Sequence, residues 1–217
     1  MRINILLLLG SLVLLAGCSS HNTLPDFTAS GYLADRGAVR IWRKNYQDTV
    51  HMLTVYTPFS DADVEQTEFT WQHNHLMSLE RHIKGAKPDD VTLRFDSDGK
   101  LSFMQRQLAG HRESLSDDEV ALYQFDVRRM LQISDALLSG RVVLHQGYWQ
   151  PDNTVTSCQN QKVTPAFDNH ARQIIRRLQG NQHSPVSIAW LEASQGTQLL
   201  LVTPQDLCAS EPEEKNF

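Results

Sequence analysis

The chain has 217 residues, of which 41% are hydrophobic, with 20 lysines and arginines against 25 aspartates and glutamates. This length fits one domain, or at most two small ones, and is sufficient to bury a core without other support. The net charge of −5 disfavours nucleic acid as a partner, because proteins that bind nucleic acid present basic surfaces.

The first 17 residues have the pattern of a secretory signal peptide. Arg2 supplies the positive start, Ile3–Leu15 is an apolar run of 13 residues, and Ala16 and Gly17 are the small residues that a signal peptidase requires. A helix that spans a membrane needs about 20 residues, so a retained transmembrane anchor is the weaker interpretation.

The run Leu15-Ala16-Gly17-Cys18 resembles the lipobox of bacterial lipoproteins, in which the signal peptide is cut before the cysteine and the cysteine is acylated. The resemblance implies lipidation of Cys18 with palmitate-type chains that hold the protein at a membrane of the bacterial envelope. Ser19 follows, where an aspartate tends to retain such proteins at the inner membrane, so the implied location is the outer membrane, facing the periplasm. The alternative is an ordinary secretory peptide with a chance cysteine.

The rest of the chain divides into three parts. Residues 18–27 form a lipidated polar tether, residues 28–208 form a periplasmic domain, and residues 209–217 are predicted to be a disordered acidic tail. We find no internal repeat and no low-complexity linker, and only residues 108–115 suggest a seam within the domain.

Residues 28–107 have the pattern of an antiparallel β-meander, because short alternating runs are separated by turn signals. Asp35-Arg36-Gly37 is a plausible tight turn, and Asp98-Gly99 is the strongest hairpin signal in the chain. Val50–Thr57 is apolar on both sides, which is typical of a strand that is covered on both faces.

A long helix is predicted over residues 116–139. Ser116 is a good N-cap, and Glu119 completes a capping box. Gly140 occupies the position where a left-handed residue would end the helix. The apolar residues fall on one stripe at helical spacing, so we expect this stripe to lie against the open face of the meander.

Three elements are predicted after this helix, namely a strand over Arg141–Trp149, a helix that ends at Gly180, and a hairpin of Val186–Leu191 and Gln198–Thr203. The second helix is predicted to start with Thr164 as its N-cap and Pro165 at its first position. The predicted fold class is therefore α+β, with an antiparallel β-meander sheet packed by one long helix and a smaller C-terminal helix and β-hairpin.

Cys158 and Cys208 are the two cysteines besides Cys18. An exported protein meets an oxidising compartment, so we expect a disulfide between them, closing a loop of about 50 residues. Free buried thiols are the alternative, and nothing in the spacing indicates metal binding by these cysteines.

Histidines invite a metal hypothesis, because His73 and His75 flank Asn74 and His82 follows on the same predicted strand. A zinc site needs three or four converging ligands, and residues 75 and 82 would face opposite sides of an unbroken strand. We therefore predict a polar turn and no metal site. Asp96-Ser97-Asp98-Gly99 resembles the start of a calcium loop, but Gln107 stands at its twelfth position, so we predict a turn there as well.

Arginines on the predicted helices are the remaining candidate binding groups. Arg172, Arg176 and Arg177 put positive charge on the second helix, and Arg128 and Arg129 do so on the first. Arginine suits phosphates and carboxylates, so these residues are a tentative anion-binding site, against the simpler alternative of a solvated helix face.

No known catalytic motif is present. The chain lacks a Gly-x-Ser-x-Gly elbow, a His-Glu-x-x-His pair, a phosphate-binding loop and a dinucleotide fingerprint. We therefore predict no catalytic residues and no cofactor, and favour a non-catalytic binding or envelope-assembly module that meets a protein or glycan partner near the membrane. A small envelope hydrolase and a metal-responsive periplasmic protein remain the alternatives.

Several segments resemble a family of uncharacterised gamma-proteobacterial lipoproteins that is classified as a domain of unknown function. They are Ser30-Gly31-Tyr32, Ile41-Trp42-Arg43, Leu93-Arg94-Phe95-Asp96, the strand Leu101–Leu108 and Leu122-Tyr123-Gln124-Phe125. The resemblance covers most of the mature chain and implies a lipoprotein of a Gram-negative host. It supplies no catalytic or binding residue.

Overall fold

The computed structural model describes residues 25–60, 63–180 and 185–217. The predicted signal peptide (1–17), the lipidation residue Cys18 and most of the tether lie outside these ranges. No helix within them is both long enough and apolar enough to cross a membrane.

Eight antiparallel strands form the first sheet, and each strand pairs with the next one along the chain. They are β1 (Phe27–Ala34), β2 (Gly37–Tyr46), β3 (Thr49–Pro58), β4 (Val64–Gln72), β5 (His75–Lys84), β6 (Asp89–Phe95), β7 (Leu101–Leu108) and β8 (His111–Glu113). The predicted meander is therefore confirmed, and it extends by one short strand into the predicted seam.

The turns of this sheet follow the local sequence. His73 and Asn74 both have positive φ, so β4 and β5 are joined by a tight two-residue turn. The backbone of Asp96 pairs with Lys100, and Gly99 supplies the positive φ that closes the turn before β7. The predictions of turns at both places are confirmed.

The first helix, α1, spans Asp117–Ser139, close to its predicted bounds. The capping box is present, because the Ser116 side chain accepts from the Glu119 backbone while the Glu119 side chain accepts from the Ser116 backbone. The prediction for the other end is wrong. Gly140 is right-handed, and the left-handed residue is Arg141, with φ of 53°.

A second sheet of five strands has the order β11-β10-β9-β12-β13. These strands are β9 (Val143–Trp149), β10 (Val155–Ser157), β11 (Lys162–Val163), β12 (Ser187–Ala193) and β13 (Gly196–Thr203). The predicted hairpin is confirmed, but it is not a separate unit, because β12 pairs along its length with β9.

The second helix, α2, spans Asn169–Gln179, so its predicted start is wrong. Asp168, not Thr164, is the N-cap, and its carboxylate accepts a hydrogen bond of 2.7 Å from the Ala171 backbone. The backbone N–H of Phe167 donates to Pro165, so these residues form a turn before the helix.

The fold is mainly antiparallel β, with two sheets and two main helices among the described residues, and the predicted α+β class is correct only in part. Short 3₁₀ turns follow at Cys208–Ser210 and Glu214–Asn216. The sequence does not reveal the second sheet, because its central pairing joins β9 to a strand more than 40 residues later along the chain.

Three core clusters define the layers. Val120 and Val127 of α1 join the cluster on one face of the first sheet. The second cluster lies between the two sheets and includes Trp42 and Leu144. The third lies on the far side of the second sheet and includes Ile175 of α2.

Strand β2 is covered on both faces, since seven consecutive residues from its start are buried. Val39 and Ile41 belong to the cluster with α1, whereas Ala38 and Trp42 belong to the cluster between the sheets. The neighbouring β1 approaches the second sheet closely. A Cβ on Gly31 would lie 2.5 Å from the Val39 carbonyl oxygen and 3.2 Å from Leu200.

A disulfide joins Cys158 to Cys208, as the sequence predicts, with 5.2 Å between the Cα atoms. The residues after Cys208 pack against the first sheet, which differs from the disordered tail that composition predicts. Lys44 Nζ donates to the carbonyl oxygens of Glu214 and Phe217, and the Phe217 ring lies 4.4 Å from the His51 ring.

Candidate functional site

A groove runs between α1 and the first sheet and is the candidate site. It consists of two adjoining cavities of about 360 and 810 Å³, each within the size range of small-molecule sites. Thr54, Glu65, Asp126 and Met130 line both cavities, so the two meet at these residues. We call the two cavities together the α1 groove.

Charged side chains form a ladder at one end of the α1 groove, across β4 to β7. Arg81 binds Glu65 at 3.0 Å and Asp89 at 3.1 Å. Arg106 holds Asp89 with two donors, Nε at 3.0 Å and Nη2 at 3.1 Å. A paired arrangement of this kind is strong and directional, because the planar guanidinium matches both carboxylate oxygens.

The ladder continues to the helix. Arg106 Nη1 lies 3.5 Å from the Glu119 carboxylate, in the first turn of α1. The Arg81 guanidinium lies 6.0 Å from the centre of the Tyr123 ring, on the next turn. The charged ladder therefore links the sheet to the helix at the rim of the groove.

Asp89 is the centre of the ladder and is only 6% exposed. Burial alone would raise its pKa, but the hydrogen bonds from Arg106 and Arg81 outweigh burial and hold the pKa below its usual value. Asp89 is therefore ionised at neutral pH and accepts bonds from both arginines. It is poorly suited to general acid or base chemistry, which needs a pKa near the working pH.

Aromatic and apolar groups complete the walls. Tyr32 and Tyr56 line the larger cavity, and Tyr123 lines the smaller one. Burial raises the pKa of Tyr32 and of Tyr123, so both hydroxyls stay protonated and are able to donate hydrogen bonds. Leu122, at the rim, is 59% exposed. The groove can therefore hold a ligand by stacking, hydrogen bonds and charge at once.

The sequence analysis does not predict the ladder as a site, and Glu119 enters it only through the capping box, although a signal for the ladder exists. Glu65 is in phase with Thr67, Phe69 and Trp71, the inward side of a predicted strand. Asp89 is likewise in phase with the buried side chains of β6. Charged residues at inward positions of two neighbouring strands indicate a paired cluster at one end of the sheet.

The histidines do not converge. A bulge at Met77 places His75 and His82 on the same face, contrary to the prediction for an unbroken strand, but six residue pairs along the sheet still separate them by about 20 Å. His51 pairs with Glu68 and His82 with Asp90, each at 2.6 Å.

One group of potential metal ligands lies close together within the described ranges, and it consists of Cys158, Cys208 and Glu211. Both sulfurs are in the disulfide, so they are not available as thiolate ligands. Glu211 instead accepts hydrogen bonds of 2.9 Å from Gln146 and Gln159.

Of the arginines predicted to bind anions, Arg172, Arg176 and Arg177 lie on α2, whereas Arg128 and Arg129 lie on α1, where Arg129 lines the larger cavity. Arg176 and Arg177 are exposed, and Arg172 is half-buried. Arg176 Nη2 donates weakly to the Asn153 side chain at 3.4 Å. The three arginines of α2 lie on the side of the second sheet remote from α1, because α2 belongs to the third core cluster.

Comparisons with known proteins place residues 29–213 within a family model described as "Protein of unknown function (DUF1481)". A relative from Escherichia coli (strain K12), the "Uncharacterized protein YjaH", is 44% identical over 212 residues, which is 97% of this chain and 92% of that protein. No solved structure matches the chain significantly.

Proposed function

This chain belongs to the family described as "Protein of unknown function (DUF1481)", and we propose that it is an envelope lipoprotein whose domain binds a partner without catalysing a reaction. The anchor is Cys18, acylated after cleavage of residues 1–17. The domain faces the periplasm from the outer membrane, and the α1 groove holds an envelope protein.

The observation that carries the binding role is the α1 groove itself. It is open and within the volume range of ligand sites, and two arginines of its wall, Arg81 and Arg106, bind the buried carboxylate of Asp89 behind them. A carboxylate held ionised in this way supports recognition better than proton transfer.

Two features support the envelope location. The run Leu15–Cys18 has the lipobox pattern directly after an apolar segment. The disulfide between Cys158 and Cys208 suits an oxidising compartment. The exposed pair Arg176 and Arg177, with Arg172, is a candidate contact for phosphates of the membrane surface.

The anchor is tested by labelling cells with a palmitate analogue. We expect label on the wild type and none on Cys18→Ala, and we expect the variant in the soluble periplasmic fraction. Label on the variant, or wild-type protein in the cytosol, would contradict the proposal.

The binding role is tested by site-specific photo-crosslinking in intact cells. A crosslinker replaces Leu122 at the groove rim, and Phe125 on the same helix serves as control, because the two are similarly exposed at 59% and 62% and Phe125 lines neither cavity. We expect a discrete crosslinked product from position 122 only. Equal patterns from the two positions, or no product from either, would refute a role for the groove.

A further inference from the structure

The α1 groove carries an excess of negative charge once its internal pairs are counted. The smaller cavity and its ladder contain two arginines, Arg81 and Arg106, and both are already bound to carboxylates. The carboxylates at the same place number four, namely Glu65, Asp89, Glu119 and Asp126. The larger cavity adds one carboxylate and two arginines, namely Asp35, Arg36 and Arg129. The groove and its ladder together therefore contain five carboxylates and four arginines, a balance of −1.

The two charged residues that line both cavities are carboxylates, whereas each arginine lines only one cavity. Glu65 and Asp126 line both cavities, one on the sheet and the other on the helix. Glu65 forms an ion pair with Arg81, whereas Asp126 makes no ion pair with any residue in the described ranges. A carboxylate that lines a cavity and lacks a cation of its own is complementary to a cation on a ligand.

The surroundings of this junction set the shape of the ligand. Met130 and Thr54 line both cavities, and tyrosines stand on both sides, with Tyr56 in the larger cavity and Tyr123 in the smaller one. The cation must therefore sit on an apolar stem, between groups that stack on aromatic rings or accept hydrogen bonds from tyrosine hydroxyls.

We infer that the α1 groove binds an extended peptide segment of a partner protein through a lysine or arginine side chain seated between Glu65 and Asp126. The inference rests on the proposed function and adds the chemistry of the partner. Because the two cavities meet at this junction, a chain that passes through it can extend into both of them.

The test uses the soluble domain with its disulfide intact and three capped pentapeptides of sequence Tyr-Ala-X-Ala-Tyr. The central residue X is lysine, norleucine or glutamate, so that length and aromatic content stay constant. Binding is measured by NMR shifts of the α1 amides. We expect the lysine peptide to bind about tenfold more tightly than the norleucine peptide, and the glutamate peptide to bind least, because a hydrogen-bonded charge contact contributes roughly 1.5 kcal/mol.

Protein variants locate the contact. Asp126→Asn is expected to weaken the lysine peptide about tenfold and to leave the norleucine peptide unchanged. Asp118→Asn is the matched control, because Asp118 is also exposed on α1 and lines neither cavity. Raising the salt concentration should weaken only the lysine peptide.

Equal binding of the lysine and norleucine peptides, no binding of any peptide at millimolar concentration, or an equal loss in both variants would overturn the inference. The crosslinking from Leu122 separates this failure from that of the proposed function. If Asp126→Asn left the crosslinked product unaffected, the proposed binding role of the groove would stand. The inference that a basic side chain of the partner binds there would fail.

Discussion

Asp89 shows how a single buried charge is made acceptable in this fold. It accepts hydrogen bonds from two arginines that come from the strands on either side, β5 and β7. Removing one partner of such a buried group costs more than the pair contributes, because the remaining charges lose their compensation.

We predict that Asp89→Asn lowers the free energy of unfolding at neutral pH by about 3 kcal/mol. The pKa of Asp89 is depressed in the folded state, so its stabilising effect is present above its unfolded pKa of about 4 and is lost as the pH falls through the folded value. Urea unfolding from pH 7 to below pH 3 should show the two proteins converging in acid. Asp98→Asn, in an exposed turn, is the control, and a difference that does not depend on pH would contradict the assignment.

Arg141 is a second residue whose backbone conformation costs free energy. It is left-handed at the end of α1, where its backbone N–H donates to Leu138 and that of Val142 donates to Leu137. These two bonds make a Schellman motif, which favours glycine because a Cβ is strained at positive φ.

Replacing Arg141 by glycine should therefore stabilise the domain by about 0.5–1 kcal/mol, measured as an increase in the urea midpoint at an unchanged slope. Gly140→Ala is the informative comparison, because Gly140 is right-handed and its Cβ would meet nothing closer than 3.4 Å. A loss of stability in Arg141→Gly would show that its side chain contributes more than its backbone costs.

At the scale of elements, the hairpins of the first sheet can be predicted because each depends on adjacent residues. Asp98-Gly99 favours a tight turn because glycine adopts positive φ without strain. The capping box of α1 can be predicted because it depends on only two nearby residues, Ser116 and Glu119. The second sheet cannot be predicted in this way. Its β9–β12 pairing has no local signal, so the hairpin of β12 and β13 looks independent in the sequence.

The candidate site is predictable to a similar degree. The phase of Glu65 and Asp89 along their strands places both carboxylates on the covered face. Bulges then change the phase of the next strands. The extra residue Ser102 places Phe103 opposite the outward-facing Arg94, and 47% of Phe103 is exposed. Bulges depend on pairing and are not visible in one sequence.

The start of α2 gives a prediction at this scale. Asp168→Ala should destabilise the protein by about 1 kcal/mol, because the carboxylate satisfies the Ala171 backbone N–H. Thr164→Ala should have little effect, since Thr164 is exposed and lies before the turn. Thermal unfolding of the two variants decides whether Asp168 or Thr164 is the N-cap. A larger loss of stability in Thr164→Ala than in Asp168→Ala would favour Thr164, the cap that the sequence predicts.

At the scale of the whole molecule, β2 joins the two sheets, and the disulfide fixes the segment that follows β13. Arg40, on β2, is 4% exposed and donates to Gln146 on β9 at 2.7 Å, and Gln146 in turn donates to Glu211. Burial lowers the pKa of Arg40 to about 10, and the nearby charge of Glu211 opposes this change, so the guanidinium stays charged at neutral pH. The disulfide at Cys208 keeps Glu211 close to its buried cation.

We expect the double variant Cys158→Ser/Cys208→Ser to lose about 4 kcal/mol of stability, from the chain-entropy estimate for a loop of about 50 residues. Reducing the wild type should give a similar loss, and the double variant should not respond to reductant. Hydrogen exchange near Glu211 should rise in both cases. An unchanged unfolding midpoint after reduction would show that packing alone holds this segment.

The order of the strands also determines the order in which the two sheets fold during synthesis. Each strand of the first sheet meets its sequence neighbour, so this half needs only short loops to close. In the second sheet, β9 pairs with β12, which is synthesised about 40 residues later. Until β12 is available, one face of the Trp42 side chain remains exposed to water. A nascent chain therefore exposes the apolar face of the first sheet until late in synthesis, and a chaperone would be most useful at this stage. Pulse-labelling exchange that protected β12 before β6 would reverse this order.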